Sequence, residues 1–233
     1  MAKNSKGFDL GCGSGRWSEL VSKKVAELHC IDASKVALSV AKENLKNCKN
    51  CKLHLASVDS IPLDDSSMDF GYSLGVLHHT PNPLEGLKSC VRKLKVGAPF
   101  LVYLYYDLED RPLWYQLIWK ITDIVRLITS RLPKKLRFIF AKLACLLIYF
   151  PFSRTALIFE KIGFNVEAFP LSFYRKYSYY VMNTDALDRF GTRVEHRYNK
   201  NEIIDMMKSA NLENIKFNST APYWCAIGYC KKN

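Results

Sequence analysis

An α/β fold on a mostly parallel, doubly wound sheet is what the sequence predicts, and three observations carry the expectation. Short apolar runs alternate with amphipathic stretches from Lys6 to Tyr106, the rhythm of strand-helix-strand units. Gly11, Gly13 and Gly15 stand between the first apolar run and the first amphipathic one, where a chain must turn tightly from strand to helix. After a long helical stretch, the last part of the chain returns to one helix and two apolar runs, a pair that can close the sheet as an antiparallel edge.

The elements follow in order. Strands are expected over residues 7–10, 26–31, 52–56, 68–74 and 99–105, with helices over 14–24, 34–47 and 83–94. Gly97 and Pro99 punctuate the entry to the fifth strand. Residues 107–197 break the rhythm with long, aromatic-rich helical sequence and read as an insertion between a core of 1–106 and a closing segment of 198–233. In that last segment a helix is expected over 199–211, a strand over 213–218 and a second strand over 223–230 after Pro222, with Trp224 in the core or at the sheet edge. The first strand begins close to Met1 with no helix before it, so a preceding segment of a longer chain is expected.

Length and composition bound the function. The chain has 233 residues and 48% hydrophobic composition, enough to close a core and to exclude a disordered chain. Its eight cysteines follow no secretory leader, which predicts free thiols, a reducing compartment and a cytoplasmic location. Cys48 and Cys51 have a metal-like spacing, but a zinc site needs a second pair, and Cys225 and Cys230 are badly spaced for it. No metal is expected. With 34 Lys+Arg against 22 Asp+Glu the net charge is +12, which favours an anionic partner: a lipid surface, a phosphorylated substrate or nucleic acid.

The glycine loop departs from a dinucleotide fingerprint, because Arg16 stands where the third glycine of that motif belongs. Asp9, ending the strand beside the loop, would repel a pyrophosphate but attract a ligand with ammonium and sulfonium charges, which S-adenosylmethionine carries. Asp32 follows at the end of the second strand, where a carboxylate can accept hydrogen bonds from two ribose hydroxyls. Asp59 and Ser60 come after the third strand, placed to meet an adenine amine and a ring nitrogen, with Ile61 and Leu63 flanking the ring.

The segments 9–15 (DLGCGSG), 31–34 (IDAS), 58–63 (VDSIPL) and 74–79 (LGVLHH) resemble the successive motifs of class I S-adenosylmethionine-dependent methyltransferases of the type 11 kind. The resemblance covers residues 6–106, the terminal helix and the strand pair. It implies a Rossmann-like, seven-stranded sheet with one antiparallel strand and S-adenosylmethionine as cofactor. The implied cofactor contacts are Asp9, Gly11, Cys12, Gly13, Gly15, Asp32, Ala33, Asp59, Ser60 and Leu74.

Methyl transfer to a hydroxyl needs a base. His78 and His79 follow the fourth strand at the sheet edge where ligands bind, and His196 is the alternative; the simpler reading packs one of the first two under the turn 80–83 and leaves the other solvated, and puts His196 in a charged, solvated loop. Arg189, Arg193 and Tyr198 are candidates for holding an acceptor, and Tyr174, Tyr177, Tyr179 and Tyr180 for lining its pocket. Within the insertion, residues 113–152 read as two basic, amphipathic helices broken at Pro133, and the most apolar part, 138–152, is shorter than the ~20 residues that cross a bilayer. A substrate lid or a peripheral contact with anionic membrane both fit that pattern. The expected acceptor is a small or lipid-like molecule rather than nucleic acid; a catalytically weak cofactor-binding module and a nucleic-acid methyltransferase are the alternatives.

Overall fold

The computed structural model describes residues 3–108, 112–218 and 224–232, the side chain of Trp224 excepted. Two compact units emerge: Met1–Glu109 with Val194–Asn233, and Asp110–Arg193.

The first unit is a seven-stranded sheet, built from β1 (Lys6–Leu10), β2 (Glu27–Asp32), β3 (Cys51–Leu55), β4 (Phe70–Leu74), β5 (Pro99–Leu104), β6 (Leu212–Phe217) and β7 (Trp224–Cys230) in the order β3-β2-β1-β4-β5-β7-β6. The first five strands pair in parallel, whereas β7 runs antiparallel to both β5 and β6. Chain order reverses between β1 and β4, and such a switch point opens a crevice at the strands' carboxyl ends. Apolar side chains from both sheet faces form the core: Phe8, Leu10, Ile31 and Phe100 on one side, Leu28, Cys30, Phe70 and Tyr72 on the other. Each large side chain removed from water there contributes about 1.5–3 kcal/mol.

Helices α1 (Arg16–Ser22), α2 (Lys35–Asn44), α3 (Pro83–Arg92) and α8 (Lys200–Ser209) belong to this unit. Ser34 caps α2 by accepting from the Ala37 amide, and Asn82 caps α3 by accepting from Glu85. Asn199 and Glu202 form a reciprocal capping box at α8. The first helix is shorter than expected, because Cys12–Gly15 are consumed by the loop. The fourth strand starts at Phe70 rather than Met68, since the Ser67 and Met68 amides both donate to the Lys93 carbonyl. Pro222 and Tyr223, expected at the start of the last strand, lie outside the described residues, as does the Trp224 side chain.

The second unit holds α4 (Leu113–Thr129), α5 (Lys134–Ala144), α6 (Phe150–Lys161) and α7 (Tyr179–Gly191). The break at Pro133 is where the sequence places it. The expectation of a second helix ending near Phe152 is corrected: α5 runs through a π-helical turn, Cys145–Tyr149, into α6, giving one helix from Lys134 to Lys161. The Phe150 amide reaches back to the Cys145 carbonyl. That wider turn eases entry of Pro151, which has no amide to donate. By length and composition this 28-residue helix is long and apolar enough to cross a membrane, so the expectation of a stretch too short to span is corrected too.

Helix α7 packs against α4 and α5. The core of this unit mixes small and large side chains: Ala141, Ala144, Cys145 and Ala186 are buried with Tyr149, Met182 and Phe190, as are the polar Arg126, Thr129 and Ser153. Arg126 donates to Asp123 at 2.7 Å and to the Thr192 and Arg193 carbonyls at 3.2 Å, so its charge is buried with partners.

Candidate functional site

The loop after β1 is fixed by backbone geometry that only glycine adopts without strain. Gly11, Gly13 and Gly15 have φ of 76, 55 and 81°, all left-handed. At Gly11 a Cβ would also meet the Val76 methyls at 2.2 Å, so the position is closed to any side chain. The Gly11 and Cys12 amides both donate to the Ile31 carbonyl (2.7 and 3.1 Å), tying the loop to the end of β2. Asp32 completes that tie, accepting from the Gly13 and Ser34 amides at 2.8 Å each.

A cavity of ≈ 360 Å³ opens at these carboxyl ends, within the range of small-molecule sites. Of the sequence-predicted residues, Gly11, Asp32, Ala33, Asp59 and His79 line it. Leu10, Val58 and Val76 supply apolar wall, and Thr80, Pro81 and Asn82 supply the turn before α3. Sequence reasoning missed Val76 and Asn82 as cavity residues. The signal available was their place on either side of the His78–His79 pair, after the fourth strand.

Other predicted residues stand behind the wall. Asp9 is 2% exposed and accepts a 2.6 Å hydrogen bond from the Ser18 hydroxyl of α1, so its carboxylate turns into the fold rather than toward a ligand. Burial pushes its pKa up to about 6 despite that bond. Cys12 is buried and its thiol is pushed up to about 12, first by burial and then by Asp9 and Asp32. Ser60 is in the short 3₁₀ turn Val58–Ser60 and its hydroxyl meets that of Ser57. Leu74 packs against the β2–β4 side of the core. Ile61 and Leu63, expected to flank an adenine ring, pack with the sheet core, Ile61 buried and Leu63 partly so.

The histidines converge. His78 and His79 form a 3₁₀ turn with Leu77 after β4. The His196 amide donates to the His78 carbonyl at 2.9 Å, bringing the re-entering chain beside them. His79 Nδ1 lies 2.9 Å from the Val194 carbonyl. A carbonyl only accepts, so Nδ1 carries the hydrogen and Nε2 the basic lone pair. His78 is 0% exposed and stacks on Tyr105 with ring centroids 3.8 Å apart. Burial, then His79, Arg197 and His196, push its pKa down to about 2, which keeps the ring neutral. The Arg197 guanidinium lies over the same Tyr105 ring, 5.2 Å from its centroid, while paired with Glu195 at 2.9 Å. Tyr198 packs against the sheet core and its amide donates to the Tyr105 carbonyl.

Arg189 and Arg193 belong to the helical unit. Arg189 reaches Asp123 and Thr122 (3.3 and 3.0 Å) and stacks over Trp119, and Arg193 donates to the Ser130 carbonyl. These contacts take up the Arg189 guanidinium in packing α4 against α7, which corrects its expected role as an open anion clamp, whereas Arg193 is exposed and gives only its Nε to Ser130, at 3.4 Å. Tyr177, Tyr179 and Tyr180 are exposed in the same unit.

Residues 8–102 match the model of the methyltransferase domain family, a span that contains every residue lining the cavity. Residues 8–102, under half of the chain, thus resemble a methyltransferase domain. That family's cofactor is S-adenosylmethionine. Over 102 residues the chain is 34% identical to a demethylmenaquinone methyltransferase of Staphylococcus aureus (strain JH9), an alignment covering 42% of each protein. The chain thus spans less than half the length of the curated relatives it matches. Among solved structures, a methyltransferase from Bacillus halodurans C-125 superposes with a TM-score of 0.60 at 10% identity, covering 100% of this chain and 95% of that one. A Haloferax volcanii complex of the Trm112 methyltransferase activator with a methyltransferase gives 0.58 at 12% identity, covering 100% and 85%. At these identities the likeness is one of fold.

The donor set fits this cofactor. Asp32 and Asp59 offer acceptors to an adenosine, the left-handed glycine loop leaves open space beside Gly13, and no phosphate-binding amides are free at Gly11 or Cys12, whose hydrogens go to Ile31.

Proposed function

We propose that the protein moves a methyl group from S-adenosylmethionine to a small, lipid-like acceptor, with His79 as the base. The cavity at the switch point carries this reading, because Asp32, Asp59 and His79 share it. The bound cofactor supplies a methyl group on a sulfonium, already activated for in-line displacement, so holding the two reactants in line is the main catalytic task.

Asp32 spends one lone pair of each oxygen on the loop and keeps others for ribose hydroxyls. Asp59 accepts from the adenine amine. His79, its tautomer set by Val194, takes the acceptor's hydroxyl proton on Nε2. His78 acts as a positioning residue: a neutral ring stacked on Tyr105 that backs His79 at a centroid distance of 4.2 Å without adding charge. His196 supports the same turn through its amide. The lipid-like class is supported by the Staphylococcus relative, whose name gives demethylmenaquinone as its acceptor, and by the apolar wall of Leu10, Val58 and Val76.

Methyl-labelled cofactor and a demethylated naphthoquinol in detergent test this. Label should enter the quinol, and His79→Gln should lower kcat by roughly 10²–10⁴-fold while S-adenosylhomocysteine binding stays. An unchanged kcat removes His79 as base. Label passing only to a water-soluble acceptor overturns the acceptor class.

A further inference from the structure

The helical unit is turned inside out. On α4, Thr122, Arg126 and Thr129 meet α7: Thr122 accepts from Arg189, and Thr129 donates to the Phe190 carbonyl. The opposite stripe, Leu117, Ile121, Ile124 and Ile128, is exposed throughout. These residues repeat at i, i+4, i+7 and i+11, one continuous face of a helix. The Lys134–Lys161 helix does the same, burying Ala141, Ala144 and Cys145 toward α7 while Ile139, Leu143, Leu146 and Phe150 are exposed on the same repeat. Exposed apolar surface on this scale marks an interaction site.

The charges say what covers it. Residues 110–193 hold 14 Lys+Arg and 6 Asp+Glu, +8 of the chain's +12. Lys120, Lys134, Lys135 and Lys142 are exposed along and between the two stripes. Apolar side chains entering an acyl boundary, with lysines reaching back to phosphates, is the chemistry of an anionic lipid surface. Lys142 and Arg154 within the long helix favour an orientation in the membrane plane over a crossing.

We infer that the helical unit seats in the interface of an anionic phospholipid bilayer through the exposed stripes of α4 and the Lys134–Lys161 helix. This goes beyond the proposed acceptor and stands independently of it. The test is sedimentation of the full chain with phosphatidylglycerol-containing vesicles and with neutral ones. Binding to the anionic vesicles is expected, falling roughly thirtyfold in Lys134→Gln/Lys135→Gln, at about fivefold per surface lysine. It should fall further in Leu117→Ser/Ile121→Ser/Ile124→Ser, whose changes are all on exposed positions. Both variants should bind S-adenosylhomocysteine as the parent does, which separates a lost surface from a lost fold or a failed cofactor reading. No binding at low salt, stripe variants that bind like the parent, or a dimer that occupies the stripes overturns the inference. Retention in vesicles through alkaline carbonate overturns the in-plane orientation.

Discussion

In the sheet unit Phe8, Leu28 and Phe100 are fully buried, while in the helical unit Met182 shares the buried places with Ala141, Ala186, Thr129 and Arg126, and Ile121, Ile124 and Leu147 face outward. The two regions obey the same physics with different surroundings. The sheet unit hides apolar area from water and leaves a polar-edged cavity at its strand ends. The helical unit buries Met182, Phe190 and Tyr149 beside small side chains and the hydrogen-bonded Arg126 and Thr129, and leaves its apolar stripes exposed.

That contrast can be broken by mutation. Phe100→Ala should destabilise the sheet unit most, by about 3–5 kcal/mol, as a fully buried aromatic, read as the urea midpoint. Asp9→Asn acts oppositely. The folded carboxyl titrates at about 6 against an ordinary 3.8, so the group favours the fold fully below the ordinary value, and that contribution is lost as pH rises through 6. The variant should gain up to ~3 kcal/mol over the parent at pH 8 and little at pH 4; parallel pH profiles would contradict this. Asp32→Ala should weaken S-adenosylhomocysteine by roughly 1.5–3 kcal/mol, the scale of bonds to a charged group, measured by calorimetry. Ile124→Ser should change stability in lipid-free buffer by no more than ~0.5 kcal/mol. A core-sized loss there would erase the difference between the two regions.

Much of the sheet unit was legible in the sequence because its strands alternate with helices and its turns carry glycine, Ser34 and Asn82 at positions with a local backbone reason. Asp32 was legible for the same reason, as the last residue of a strand beside the loop. Asp9 was not, because its direction depends on Ser18 in the first turn of α1, and no spacing rule says which side of a strand end a carboxylate takes. Ile61 and Leu63 follow the 3₁₀ turn Val58–Ser60 and pack with the sheet core, a placement that no spacing rule gives. In the helical unit, periodicity showed two amphipathic helices but not which stripe faces inward. An apolar face looks the same in sequence whether it meets a core or a lipid, and only the hydrogen bonds of Arg126 and Thr129 fix the buried side. Continuity through Pro151 was hidden too, since it depends on a wider turn five residues upstream.

A calorimetric titration of the full chain with S-adenosylhomocysteine and, separately, with reduced nicotinamide dinucleotide tests most directly whether the cavity at the switch point holds S-adenosylmethionine. Saturable binding of the first, lost or weakened in Asp32→Ala, with only heats of dilution for the second, is the expected result. Tight binding of the dinucleotide, or no binding of S-adenosylhomocysteine by a folded chain, would contradict it.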